Sequence, residues 1–345
     1  MPHAAKPPAF DPATMNLIDQ LMDSAKVGAD PAQREQLGEM IRAALQLGSD
    51  GAGTGEIKLV SRSFRELRHA LNIFRPFAGR RKVSMFGSAR TPPDHPDYAC
   101  ARDFSRALAG RGWMTVTGAG PGIMAAGNEG AGQGNSFGLS IRLPWETNGN
   151  EFLRGDPKLI YFRYFFTRKL IFAMGADAMA VFPGGFGTMD ECFELLTLMQ
   201  TGKSALIPVV LLAPPGNPYW KEFREYLENH LVANKWIDEK DLFLFKSFSD
   251  VDAAAAHVEH FYRNYHSYRF VGDRLVIRIR RPLTEAELAE LNSIFAVICT
   301  QGGIEQGPAF QEEDELLELP RLMLHFNRKD FSILRMLIDT LNDFG

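Results

Sequence analysis

The stretch Pro183-Gly184-Gly185-Phe186-Gly187-Thr188-Met189-Asp190-Glu191 decides how this chain folds. It follows the apolar run Ala178-Met179-Ala180-Val181-Phe182, which has the length and character of a buried parallel strand. It precedes residues 192–199, which read as a helix. A glycine-rich turn between strand and helix marks the carboxyl end of a strand in an open α/β sheet, where such folds bind ligands. Glycines there let a phosphate or sugar approach the backbone, and the helix start offers free N–H groups and a positive dipole end. Thr188 and Glu191 stand three apart and also match a capping box. On spacing alone, a capping Glu191 and a catalytic one are level.

Upstream, residues 83–86 read as a strand ending in the turn Gly87-Ser88-Ala89-Arg90, and residues 96–111 as the return helix. A second strand, 113–117, runs into Gly118-Ala119-Gly120-Pro121-Gly122-Ile123-Met124 and a helix through Ala131. This cluster is not read as a dinucleotide fingerprint. The next strand, 137–143, ends in Pro144-Trp145, where the fingerprint needs an acid for the ribose. A phosphate cradle at a helix N-terminus is preferred to a merely tight turn. Residues 159–174 are apolar apart from Arg163, Arg168 and Lys169, and read as one buried helix with cations reaching out to solvent. The head of Arg168 is placed at the same sheet edge as the Pro183 turn. Residues 207–212 read as a strand, 219–231 as a helix, then a segment ends near Phe248, and 251–265 read as an Ala-rich helix. The alternation predicts an α/β fold, a Rossmann-like doubly wound parallel sheet.

The two ends differ. Residues 1–10, rich in Pro and Ala, are expected to be loose. Two helices, 12–25 and 31–47, lead to a Gly-rich linker at 48–55, giving a helical N-terminal appendage over 1–55. A helix over 57–77 carries Arg62, Arg65, Arg68, His69 and Arg75, read as a solvated face in preference to an anion site. At the other end, 268–281 alternate as a strand, 284–297 form a helix with a Thr284/Glu287 capping box, 320–326 a strand and 330–341 a helix. This gives a small C-terminal α+β module over 267–345, with the catalytic domain at 56–266. No catalytic constellation is found in either end.

Among 345 residues, 45% are hydrophobic and the formal net charge is −4, which gives no electrostatic reason to expect nucleic acid. The three cysteines, Cys100, Cys192 and Cys299, form no metal-type pair and suit a reducing compartment. No secretory h-region and no membrane-length apolar run is read, so the expectation is a cytoplasmic protein without membrane contact.

These motifs together resemble the LOG ("lonely guy") family, phosphoribohydrolases long mislabelled lysine decarboxylases. Pro183–Glu191 is similar to the family signature PGGxGTxxE, with Asp190 where Glu is frequent. Phe86-Gly87-Ser88-Ala89 resembles the first-strand turn. Gly118–Met124 with Asn128, Gly130 and Ala131 resembles the second glycine block, and Thr167-Arg168-Lys169 the Arg-Lys pair. The likeness spans residues 82–202 and continues in layout to about 265; the terminal extensions suggest one of the longer bacterial forms.

The resemblance implies hydrolysis of the N-glycosidic bond of a nucleoside 5′-monophosphate, AMP or a cytokinin ribotide, to free base and ribose 5-phosphate. It implies catalysis by Glu191 and Arg168, with Glu191 ionised by its place in the first turn of its helix. For the substrate it implies Gly184, Gly185, Gly187 and Thr188 around the phosphate, and Ser88, Gly120, Gly122, Met124, Asn128 and Lys169 around the rest. No metal or cofactor is implied, and a homodimer or higher homo-oligomer is. Three other readings are weaker. A lysine decarboxylase needs pyridoxal phosphate on a lysine, and Lys169 and Lys203 lie in no cofactor motif. A carrier of a phosphorylated cofactor has no need of both Glu191 and Arg168. A single-stranded DNA binder lacks its basic aromatic stripe.

Overall fold

The computed structural model describes residues 10–142 and 149–344. Residues 1–9 and the strand end at Leu143, Pro144 and Trp145, on which two of the sequence readings fall, lie outside them. The chain divides into two compact units between Arg68 and His69.

The first unit holds α1 (Pro12–Ser24), α2 (Pro31–Ser49) and most of α3 (Thr54–Phe74). Asp11 and Asp30 cap α1 and α2 by accepting from the N–H groups of Thr14 and Gln33, each before a proline at the first helical position. Arg34 of α2 pairs with Asp19 and Asp23 of α1 at 3.1 and 2.8 Å. The expected linker 48–55 shrinks to residues 50–53, because both helices run into it.

The second unit continues with β1 (Lys82–Phe86), α4 (Pro96–Gly110), β2 (Met114–Thr117), α5 (Ile123–Ala131) and β3 (Ser136–Ile141). Next come β4 (Leu159–Phe162), α6 (Phe165–Met174), β5 (Ala178–Val181), α7 (Phe186–Gln200) and β6 (Val209–Leu212). The parallel part closes with α8 (Tyr219–Tyr226), β7 (Lys246–Phe248) and α9 (Val251–His260). The seven strands pair in the order β4-β3-β2-β1-β5-β6-β7, all parallel, so the fold is a Rossmann-like doubly wound sheet. Strands β1, β2, β3, β5 and β6 are buried along their whole length, as a sheet covered on both faces requires. The order reverses between β1 and β5, which opens a crevice at their carboxyl ends.

The single helix read over 159–174 is instead β4 followed by α6. Leu159–Phe162 adds to the edge of β3 in register Gly138↔Leu159 to Ile141↔Phe162, and this pairing overrides a pattern too short to carry a period.

A four-stranded antiparallel sheet follows, built from β8 (Tyr265–Val271), β9 (Arg274–Ile279), α10 (Glu285–Phe295), β10 (Glu305–Gly307), β11 (Arg321–Leu324) and α11 (Phe331–Asp343) in strand order β10-β11-β9-β8. The strand read over 268–281 is therefore a hairpin turning at Gly272-Asp273, with Gly272 at φ +60°. The Thr284/Glu287 capping box is present. Helix α11 is locked to the parallel sheet. Buried Arg335 donates to the carbonyls of Ile207 and Leu244, and Asn342 accepts from the N–H groups of Asn264 and Tyr265 at 2.9 Å each.

Within the small sheet, the fully buried Glu313 carboxylate bridges Arg278 and Arg321 at 3.0 and 3.1 Å. Removing one member of such a group leaves buried charge without compensation. Glu313→Ala is expected to cost about 3–5 kcal/mol in denaturant unfolding; a loss under about 1 kcal/mol would mean the two arginines find water or other partners.

Candidate active site

The crevice at the β1/β5 switch is a cleft of about 860 Å3. One wall is the turn after β1, with Ser88 and Arg90, beside Gly120 and Pro121 of the turn before α5 and Met124 in its first turn. The second is the face of α6 with Phe165, Arg168 and Phe172. The third is the turn after β5 and the start of α7, from Gly184 to Glu191.

These turns meet because their backbones touch. The Ser88 N–H donates to the Pro183 carbonyl, and the Ser88 carbonyl accepts from Ile123 N, both at 3.0 Å. A Cβ on Gly122, which has φ +67°, would lie 2.3 Å from that Ser88 carbonyl oxygen, and one on Gly184 would lie 2.2 Å from Thr188 Oγ1. Gly185 and Gly187 face open space, where a Cβ would meet nothing within 4 Å. Helix α7 starts at Phe186 behind Gly185, with no side-chain cap. The Thr188–Glu191 capping box is therefore not formed: Thr188 already lies in the first turn and Glu191 in the second.

Glu191 lines the cleft yet its side chain is only 8% exposed. Burial pushes its carboxyl up to about 7; Lys169 and Arg168 pull it down, and Glu194 and Asp190 push it further up. The expected permanently ionised Glu191 is thus replaced by one that titrates near neutrality, because desolvation outweighs a dipole felt only in the first turn. Such a carboxyl is matched to proton transfer at neutral pH. The Arg168 guanidinium stacks over Phe165 and Phe172, with its carbon 5.0 and 5.7 Å from the ring centroids.

Of the residues singled out from sequence, Ser88, Gly120, Met124, Arg168, Gly184, Gly185, Gly187, Thr188 and Glu191 line this one cleft. Three sit behind it. Gly122 is the close-contact glycine at the α5 start. Asn128 is fully buried; its Oδ1 accepts from Thr117 Oγ1 and Asn150 Nδ2 at 2.8 and 2.9 Å, bracing the glycine turn. Lys169 faces Asp190, Glu194 and Glu191 at 2.8, 2.7 and 3.7 Å. Sequence reading missed Arg90, Phe165, Phe172 and Phe186 in the lining, and Tyr219, whose hydroxyl donates to the Gly184 carbonyl at 2.6 Å from α8. Arg90 ends the turn Gly87-Ser88-Ala89-Arg90 read from the sequence, where it was given no role; nothing marked Tyr219. Among the described residues no group of three or more His, Cys, Asp and Glu could hold a metal ion, and no helix is long and apolar enough to cross a membrane.

Residues 122–258 match the sequence model of the family described as possible lysine decarboxylase. The match covers the parallel-sheet domain from the turn before α5 into α9. The match leaves out the β1 turn with Ser88 and both terminal extensions. The comparison with curated proteins gave no match. Among solved structures, the chain is similar to the molybdenum cofactor carrier protein of Chlamydomonas reinhardtii at 21% identity, over 52% of this chain and 96% of that one, with TM-score 0.37. It is similar to the molybdenum cofactor binding protein of Rippkaea orientalis at 20% identity, over 44% and 85%, with TM-score 0.32. DNA processing protein A of Helicobacter pylori matches at 14% identity, over 52% and 80%, with TM-score 0.34.

The contact at Gly122 yields a test of the site's construction. Gly122→Ala is expected to lower the thermal midpoint, with about 1–3 kcal/mol from the backbone conformation alone and more from the clash. An unchanged midpoint would show that the three turns can separate freely.

Proposed function

We propose that the cleft hydrolyses the N-glycosidic bond of a nucleoside 5′-monophosphate, AMP or a related adenine nucleotide, to free base and ribose 5-phosphate. The observation that carries this reading is Glu191: a buried carboxyl titrating at about 7, on the wall of a cleft that also presents an open glycine turn at a helix start. The 5′-phosphate is held by the N–H groups of Phe186 and Gly187 and the Thr188 hydroxyl, where the dipole of α7 favours negative charge. Arg90 supplies a cation on the facing wall. The base lies against Phe165, Phe172 and Met124.

Cleavage of an N-glycoside develops positive charge on the ribose. Ionised Glu191 stabilises that charge and accepts a proton from the attacking water. The water oxygen bonds to C1′, the C1′–N bond breaks, and the base leaves with a proton, so one water is divided between the two products. Arg168, fixed by its two aromatic neighbours, contacts the substrate from α6. A pure carrier would have no use for a carboxyl poised in this way, and three unpaired cysteines suit a reducing cytoplasm.

A homodimer belongs to the same proposal. Phe166, Leu170 and Met174 on α6 are exposed beside the cleft, Met174 at 63%, and Phe186 at the start of α7 is 97% exposed. Apolar surface of this kind marks an interaction site, and a second copy seated here would close the cleft.

Two outcomes are expected. With AMP as substrate and ribose 5-phosphate as readout, kcat/KM rises with pH through about 7 and levels above it, and Glu191→Gln loses about 10²–10⁴-fold. Tight AMP binding without release of ribose 5-phosphate would leave a carrier instead. Sedimentation of wild type as a dimer or larger, and of Leu170→Glu/Met174→Glu as a monomer, checks the α6 surface; a wild-type monomer rejects it.

A further inference from the structure

Arg168 and Lys169 are neighbours in sequence, but consecutive helical residues point about 100° apart. Arg168 faces the cleft. Lys169 does not line it. Its side chain, 16% exposed, lies on the far side of Glu191, beside a small void lined by Ser84, Phe172, Leu195 and Leu198. There its ammonium meets three carboxylates of α7: Asp190 at 2.8 Å, Glu194 at 2.7 Å and Glu191 at 3.7 Å. Asp190 and Glu194 are spaced i,i+4 and Glu191 and Glu194 i,i+3, so Glu194 neighbours both of the others.

We propose that Lys169 is a positioning residue, which holds the Glu191 carboxylate in place and in its charged form from behind and does not touch the substrate. This rests on the hydrolase reading of the same cleft. Three carboxylates that converge on one ammonium repel one another, and the cation among them offsets that repulsion. Burial lowers the Lys169 ammonium, but hydrogen bonds to Asp190 and Glu194 and the charge of Glu191 outweigh it, so the lysine stays protonated. The groups acting on Glu191 are Lys169 and Arg168 from α6 and Glu194 and Asp190 from α7. Ser84 of β1 and Met179 of β5, which line the same void, do not titrate. Lys169 is the cation first in weight, and without it Arg168 alone opposes the two flanking carboxylates.

The test reads Glu191 directly. In protein carrying 13C-labelled glutamate, the carboxyl resonance lost in Glu191→Gln is followed by NMR against pH, alongside the pH profile of AMP turnover. Lys169→Met is expected to move the Glu191 midpoint and the acid limb of kcat/KM up together by about one pH unit or more. KM measured above the limb should stay within about twofold, and Lys169→Arg should restore both midpoints. A KM raised about tenfold with both midpoints unmoved overturns the proposal and returns Lys169 to the substrate. If wild type turns over no nucleotide, the NMR midpoint decides alone: a shift upholds the positioning role while the hydrolase reading falls, and no shift overturns it. Should Lys169→Met fail to fold, Asp190→Asn/Glu194→Gln, which leaves Lys169 free for Glu191, is expected to lower the midpoint; an unmoved midpoint there also overturns it.

Discussion

The backbone of Ser88 is shared between two neighbours, and the rest of the site depends on that sharing. Its N–H goes to the turn after β5 and its carbonyl to the first turn of α5. Three strand-ending turns are thereby drawn to one point at the place where the strand order reverses. Backbones can approach this closely only where side chains are missing, which is why Gly122 and Gly184 sit at the contacts. The glycines that face outward, Gly185 and Gly187, leave the room into which a ligand can come. One set of residues thus packs the turns together while another keeps the cleft open, and both are drawn from the same glycine-rich motifs.

Charge is distributed around this frame by burial. Glu191 lines the cleft from a buried position on α7, and desolvation, more than any single neighbour, sets its behaviour. The two cations of α6 act on it from different sides, and the aromatic rings beneath Arg168 keep that guanidinium from swinging into solvent.

Much of this was legible in the sequence, for a physical reason. Glycine, hydroxyl and carboxylate at the ends of predicted strands can be placed at one sheet edge once the strands are known to be parallel, so nine of the twelve residues singled out line one cleft. The failures have common causes. Strand β4 has four residues, and only its pairing with β3 distinguishes it from the start of α6. A Thr-x-x-Glu pattern looks like a cap whether or not a helix begins there, which sets the apparent start of α7 three positions late. That shift puts Glu191 under a dipole it does not feel. The roles of Asn128 and Lys169 depend on which way a helix faces, and Tyr219 arrives from a helix that sequence alone leaves unattached.

The last helix bears on how far the chain can be divided. Arg335 and Asn342 of α11 satisfy backbone groups of the parallel-sheet domain, at Ile207, Leu244 and Phe261, and Asn342 also accepts from Asn264 and Tyr265 where the small sheet begins. Trimming the chain back to the sheet would strand those groups and uncover the apolar residues that α11 now seals. The extension is therefore no loose addition: what sequence comparison marks off as a domain shares one compact unit, His69–Gly345, with the helix that seals it.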